Sequence, residues 1–336
     1  MLRPITPMPM NAIESGEDIR KGYRSEKRPG GPARCNSPRA PGLPAPHPRS
    51  TLRSSPMPSS RRTFLTSSMA TAAALAATTR PARAATAAGR EYYEIRCYHL
   101  KADTRLKASA PRAPVEAYLA NALLPALSRR NVGPVGVFTE IKVDKPKGTS
   151  EPVADSPLWV LIPHATLESF HAVSADLVTD PQLQAAGAAY LQVEKAKPAF
   201  ERIDTWLLRA FASMPRLEVP AFSKAKAPGR VFEMRDYESH SELKALNKMA
   251  MFDEGETQLM RDLGMSPVFF GQALAGPNLP HLRYFTSGPT LEAHLAAWKK
   301  FGPDPRWVKM KDDPRWANNT SRNTARFLVP AACSQL

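Results

Sequence analysis

From residue 92 onward, short runs of alternating apolar and polar side chains are interleaved with longer stretches whose apolar positions recur at helical spacing. Alternation puts successive side chains on opposite faces of a strand, whereas helical spacing gathers the apolar ones along a single stripe. On this basis strands are expected over 92–100, 135–143, 158–163 and 203–211, with helices over 114–130 and 166–197. A second series follows, with strands over 231–237, 268–274, 282–286 and 324–329 and helices over 241–263 and 289–309. The stretch 142–155, interrupted by Pro, Gly and Ser, reads as a lengthened hairpin connection.

The two series are one pattern written twice. Glu94, Arg96 and Tyr98 return as Glu233, Arg235 and Tyr237, and Gly133-Pro134 returns as Ser266-Pro267. Thr166-Leu167-Glu168 matches Thr290-Leu291-Glu292, and Asp180-Pro181 matches Asp304-Pro305. Matches in the same order indicate duplication. Residues 85–212 form the first unit, 213–229 a linker containing Pro and Lys, 230–330 the second unit and 331–336 a loose tail. Each unit has the order β-α-β-β-α-β, the ferredoxin-like arrangement with both helices on one face of a four-stranded antiparallel sheet. One such unit leaves its other sheet face bare. The expected class is therefore α+β, with tandem ferredoxin-like units packed sheet to sheet as a barrel within one chain.

These residues also carry a family resemblance. A Glu-x-Arg-x-Tyr strand, the later strand with Leu282 and Tyr284, the Leu-Glu helix start, and Asp304, Pro305 and Trp307 resemble the NIPSNAP family of the dimeric α+β barrel group. The first unit keeps Glu94, Arg96 and Tyr98 but has Leu183 where Trp307 stands. The resemblance implies the barrel fold. It leaves the reaction open, because the family's activity is poorly defined.

Alternation puts Tyr93, Ile95 and Cys97 on one face and Glu94, Arg96 and Tyr98 on the other; Phe232, Met234 and Asp236 are likewise opposed to Glu233, Arg235 and Tyr237. The apolar sets are expected to pack under the helices, which aims both Glu-Arg-Tyr trios into the barrel interior. Buried charges are costly unless paired, so the repeated trio implies a use. It is either an ion-pair network that registers the sheets, or a pocket in which Arg96 or Arg235 holds an anionic ligand and a Glu acts as acid or base. Singly placed His99, His171, His240, His281 and His294 read as solvated or capping side chains, and no metal site is expected. Cys97 reads as core and Cys333 as tail, with a disulfide between them left open. The chain lacks a nucleophile elbow, a P-loop and a dinucleotide fingerprint, so no cofactor is expected.

Charge changes the picture at the other end. The net charge is +15, but residues 1–84 carry +10 of it, together with 13 of the 34 prolines. The remainder is nearly balanced, which argues against a nucleic-acid partner. Residues 1–56 read as a disordered segment, or as untranslated sequence if Met57 is the true start. Residues 57–84 resemble a twin-arginine (Tat) export signal, with Arg61-Arg62, a mild apolar stretch, and cleavage between Ala84 and Ala85. Export to the periplasm is expected, a mitochondrial address being the alternative. No apolar run is long enough to span a membrane.

Two functional readings remain. One is a barrel that binds a small anionic ligand or a protein partner, self-associating or not through its outer sheet edges. The other is a cofactor-free or haem-using oxygenase or isomerase of the same barrel group.

Overall fold

The computed structural model describes residues 89–100 and 112–336. Arg61, Arg62, Ala84 and Ala85, and with them the expected leader, lie outside the described residues. The strands are β1 (Tyr92–His99), β2 (Gly136–Asp144), β3 (Thr149–Pro152), β4 (Leu158–His164), β5 (Arg202–Ala210), β6 (Val231–Glu238), β7 (Phe269–Ala275), β8 (His281–Gly288) and β9 (Arg322–Pro330). The principal helices are α1 (113–129), α2 (Leu167–Thr179), α3 (Pro181–Ala186), α4 (242–262), α5 (Leu291–Phe301) and α6 (Pro305–Lys311).

In the first unit the strands lie in the order β5-β1-β4-β2, and in the second β9-β6-β8-β7. Both are the ferredoxin-like order. The edges then join: β5 pairs with β7 and β2 with β9, all antiparallel, so eight of the nine strands close into a barrel. The two sheets face each other because closing their edges leaves no other place for the inner faces. Among the described strands β3 is paired along one side only, by β2. That strand is short and ends in Pro152, features that discourage edge pairing.

The barrel interior is filled by both units. Tyr93, Ile95 and Cys97 meet Phe232 and Met234 there, with Phe138, Trp159, Trp206, Phe269, Phe285 and Leu328. The rings of Tyr93 and Phe269 lie 4.7 Å apart and those of Phe138 and Phe232 4.9 Å apart. Each such pair contributes ~0.5–1.5 kcal/mol beyond area burial.

Three local departures from the sequence expectation have plain causes. The helix expected over 166–197 breaks at Asp180-Pro181, where the Asp180 carboxylate caps the next helix by accepting from Leu183 N at 2.9 Å. The connection 142–155 contains an additional short strand, β3, paired with the end of β2 over Ile141–Asp144. Residues 331–336 are not a loose tail: Gln335 Oε1 and Ser334 Oγ accept from Val135 N and Val137 N, and Leu336 is buried in the barrel core.

Closure makes each unit dependent on the other. Residues 85–212 expressed alone would bare Tyr93, Ile95, Trp159 and Trp206, plus the unpaired edges of β2 and β5. The expected result is an insoluble or dimeric fragment, and a single cooperative melt for the whole barrel. Size-exclusion chromatography showing a stable monomeric fragment would contradict this.

Candidate functional site

The alternation in β1 and β6 is as expected, but the faces are exchanged. Tyr98 packs with Val115 and Leu119 of α1, and Tyr237 packs with Ala245 and Met249 of α4. Glu94, Arg96, Tyr98, Glu233, Arg235 and Tyr237 therefore lie between sheet and helices, not in the barrel interior. The physical reason is enclosure. The interior is closed by sheet all round and takes the aromatic bulk, whereas the helix layer has open edges where Arg96 and Arg235 keep 19% and 14% side-chain exposure.

In the first unit the charges are satisfied at short range. Arg96 Nε donates to Glu94 Oε1 at 2.5 Å, and His164 Nε2 lies 3.4 Å from Glu94 Oε2. Burial pushes the Glu94 carboxyl up, but the His164 and Arg96 contacts outweigh it and hold the group below its ordinary value. Tyr98 closes the site against Phe200, beside the stacked rings of Tyr118 and Tyr190.

The second unit is arranged differently. Glu233, 1% exposed, accepts from His294 Nε2 at 2.8 Å. Arg235 Nε stands 3.9 Å from Glu233 Oε1, too far for a hydrogen bond, and its guanidinium lies 4.4 Å over the Trp298 ring instead. Glu233 Oε1, Arg235 Nε and His294 Nδ1 are buried without a partner among the described residues. Burial again raises the Glu233 carboxyl, and the His294 bond and the Arg235 charge again win, leaving it low.

Beyond Arg235 the polar line continues. The Tyr237 and Tyr284 hydroxyls lie 2.8 Å apart, and Lys248 Nζ donates to Glu256 Oε2 at 2.8 Å under the Phe252 ring. Lys248 and Glu256 are eight residues apart, roughly 80° round a regular α-helix. The helix is kinked over Phe252–Glu256, where Gly255 takes a non-helical φ of 150°, and the kink lets the two side chains meet.

The three buried imidazoles were missed in the sequence, where His294 and His281 read as solvated or capping and His164 drew no attention. The sheet register makes them informative. Tyr92 pairs with His164, and the matching Val231 pairs with Gly288. A β-carbon placed on Gly288 would sit 2.8 Å from His294 Cβ. In the first unit the helix position matching His294 is Phe170, whose ring packs against His164. Each unit thus supplies its buried Glu with one imidazole, from the strand in the first and from the helix in the second. Thr290 fixes the helix version, capping α5 by accepting from Ala293 N so that His294 falls one turn in.

The barrel interior holds a further network that the apolar reading of its face concealed. Arg283, 2% exposed, donates to both oxygens of Asp236, at 2.5 and 2.9 Å, and stacks 4.2 Å from the Trp206 ring. Arg326 bridges Asp236 at 3.3 Å and Glu140 at 3.7 Å, and Trp159 Nε1 donates to Glu140. Cys97 lies beside this network, its thiol pushed up to about 12 by burial. Cys333 packs on the helix side of the first unit, so the disulfide left open by the sequence is not formed.

Among the described residues no three His, Cys, Asp or Glu side chains converge in a way that would hold a metal ion. His294 is poorly placed for a haem iron: Nε2 is engaged by Glu233, and the ring is 1% exposed and edge-on to Phe327 and Trp298.

Residues 232–335, which span the second unit, match the NIPSNAP family. Among solved structures, a NIPSNAP family protein from Agrobacterium tumefaciens is 16% identical, covers 31% of this chain and 94% of its own, and has a TM-score of 0.28. A candidate monooxygenase from Lactobacillus acidophilus is 8% identical over 72% of this chain and 94% of its own, with a TM-score of 0.44. A chlorite dismutase mutant from Candidatus Nitrospira defluvii is 8% identical over 72% and 92%, with a TM-score of 0.38. No curated protein matches the chain.

Proposed function

We propose that this chain is an exported NIPSNAP-type barrel that binds a small anionic ligand, with Arg235 of the second unit as the anion receptor and the first unit a divergent, structural copy. One observation carries the reading. Arg96 is tied to its carboxylate, whereas Arg235 donates no hydrogen bond to any described residue and rests on an aromatic platform at the edge of the helix layer. A guanidinium offers five donors in a planar fork that suits a carboxylate or phosphate. Glu233 does not take that fork: His294 holds its Oε2, and its Oε1 stands 3.9 Å from Arg235 Nε, beyond hydrogen-bond reach.

Arg235→Met tests this. Glu233 keeps its His294 hydrogen bond, so the expected stability cost is about 1 kcal/mol or less, while binding of a small carboxylate or phosphate is lost. A thermal melt and a calorimetric titration separate the two effects. A large loss of stability would mean that the trio is an ion-pair network after all.

The enzyme reading rests on one feature, the unpartnered His294 Nδ1 beside a charged, buried Glu233, a pair suited to proton transfer. It needs a substrate to reach the helix layer, and binding is the common first step of both readings. Export is part of the same proposal. Replacing Arg61 and Arg62 with Lys is expected to hold the precursor in the cytoplasm, and normal export of that variant would remove the twin-arginine assignment.

A further inference from the structure

The candidate site on the second unit is walled in part by the first. β2 begins in its own sheet, where Gly136–Phe138 pairs with β4, then pairs with β9 over Phe138–Ile141. Its far end is held only by β3, so this ribbon leaves the first unit and lies over the second. There Ile141 is buried against Val231 and Phe327, with Val143, Leu291 and Leu295 packed alongside. Leu291 and Leu295 belong to α5, the helix that carries His294 and Trp298.

Lys145, at the turn of the ribbon, places its ammonium 5.5 Å from the centre of the Phe327 ring. That ring meets the His294 imidazole edge to face at 5.9 Å. The neighbouring ribbon lysines are neutralised, Lys142 by Glu151 at 3.3 Å and Lys147 by Asp144 at 3.0 Å. Lys145 has no carboxylate partner among the described residues, and its charge is one of those that hold the Glu233 carboxyl low.

We propose that Lys145, delivered by the ribbon of the first unit, is the second cation of the anion site on the second unit and sets its preference for small anionic ligands together with Arg235. The inference rests on the assignment of Arg235 as the receptor. Glu233 is hydrogen-bonded to His294 through Oε2 alone, and Arg235 and Lys145 set two positive charges against its one negative charge, which leaves the rim of the site net positive. This cation is exposed, so it acts through solvent and its effect falls with salt. The length of the connection carries this charge from the first unit to the Phe327 ring of the second.

The experiment is calorimetric titration of the whole chain with benzoate and with inorganic phosphate, at low and at moderate salt. For at least one probe, Lys145→Glu is expected to weaken binding ~tenfold at low salt and to flatten the salt dependence, while Lys145→Arg stays near wild type. Arg235→Met is expected to abolish binding in both salts. Loss of binding in Arg235→Met with an unchanged Lys145→Glu overturns the role of Lys145 and leaves the receptor standing. Binding retained in Arg235→Met refutes the receptor and the joint site with it. A wild-type chain that binds neither probe overturns both. The Lys145 variants change an exposed turn, so their melts should match wild type and serve as the folding control.

Discussion

Replacing Arg283 with Met is expected to be among the most damaging single changes in the barrel. The guanidinium is 2% exposed, gives both oxygens of Asp236 their hydrogen bonds, and stacks on Trp206. Its removal leaves the Asp236 carboxylate inside the barrel with Arg326, at 3.3 Å and a third exposed, and a long hydrogen bond from the Thr324 hydroxyl at 3.5 Å. Breaking a buried pair costs ~3–5 kcal/mol, against a total stability on the order of 5–15 kcal/mol. For a body of this size the melting temperature should fall on the order of 10 °C. The double change Asp236→Leu with Arg283→Met removes both charges and is expected to recover most of the loss, because a buried ion pair gives little net stability over an apolar pair of similar volume. An unchanged melt for Arg283→Met would show that Asp236 reaches water, and that the barrel interior is wetter than its packing implies.

His294→Phe is the second large effect, and it carries a pH signature. Phe occupies the equivalent place in the first unit as Phe170, so the ring itself is compatible with the fold. What is lost is the hydrogen bond to Glu233, leaving a buried carboxylate whose nearest donor is Arg235 Nε at 3.9 Å. The expected cost at neutral pH is about 3 kcal/mol. In the wild type Glu233 is held below the ordinary value of 4.5. Its contribution is therefore fully present above that value and is lost as pH falls through the lowered one. In His294→Phe burial is no longer outweighed and pushes the carboxyl up, so protonation relieves the variant as pH falls. The gap between variant and wild type should be widest near neutrality and should close below about pH 5. Chemical denaturation at a series of pH values checks this, and Glu233→Gln with His294→Phe should be nearly pH-independent at this site. A gap that stays constant down to pH 3 would mean that His294 acts by packing alone. In either variant the barrel pairing is untouched, so circular dichroism should keep its native sheet signal below the melt.

Much of this architecture was legible in the linear chain. The duplication of Glu-x-Arg-x-Tyr, the Thr-Leu-Glu helix starts and the Asp-Pro breaks located both units, and strand alternation sorted Tyr93 from Glu94 and Phe232 from Glu233. Those features are local: they depend on backbone periodicity, on caps that act within one turn, and on the restricted φ of proline. Which face of the strand looks into the barrel was not local. Both faces are buried, so polarity alone cannot rank them, and the choice fell to the enclosed volume that both sheets share. The ion pair of Asp236 with Arg283 is set by cross-strand register, 47 residues apart, and the approach of His294 to Glu233 spans 61. The exchange of His164 for His294 depends on how closely α5 approaches Gly288. The ribbon bearing Lys145 looks like a long loop until β9 is there to receive it. Periodicity and capping thus determined the elements and their repetition, because each is decided within a few residues. Only closure of the barrel decided which charges meet, because burial and pairing are properties of the space between elements that no single element contains.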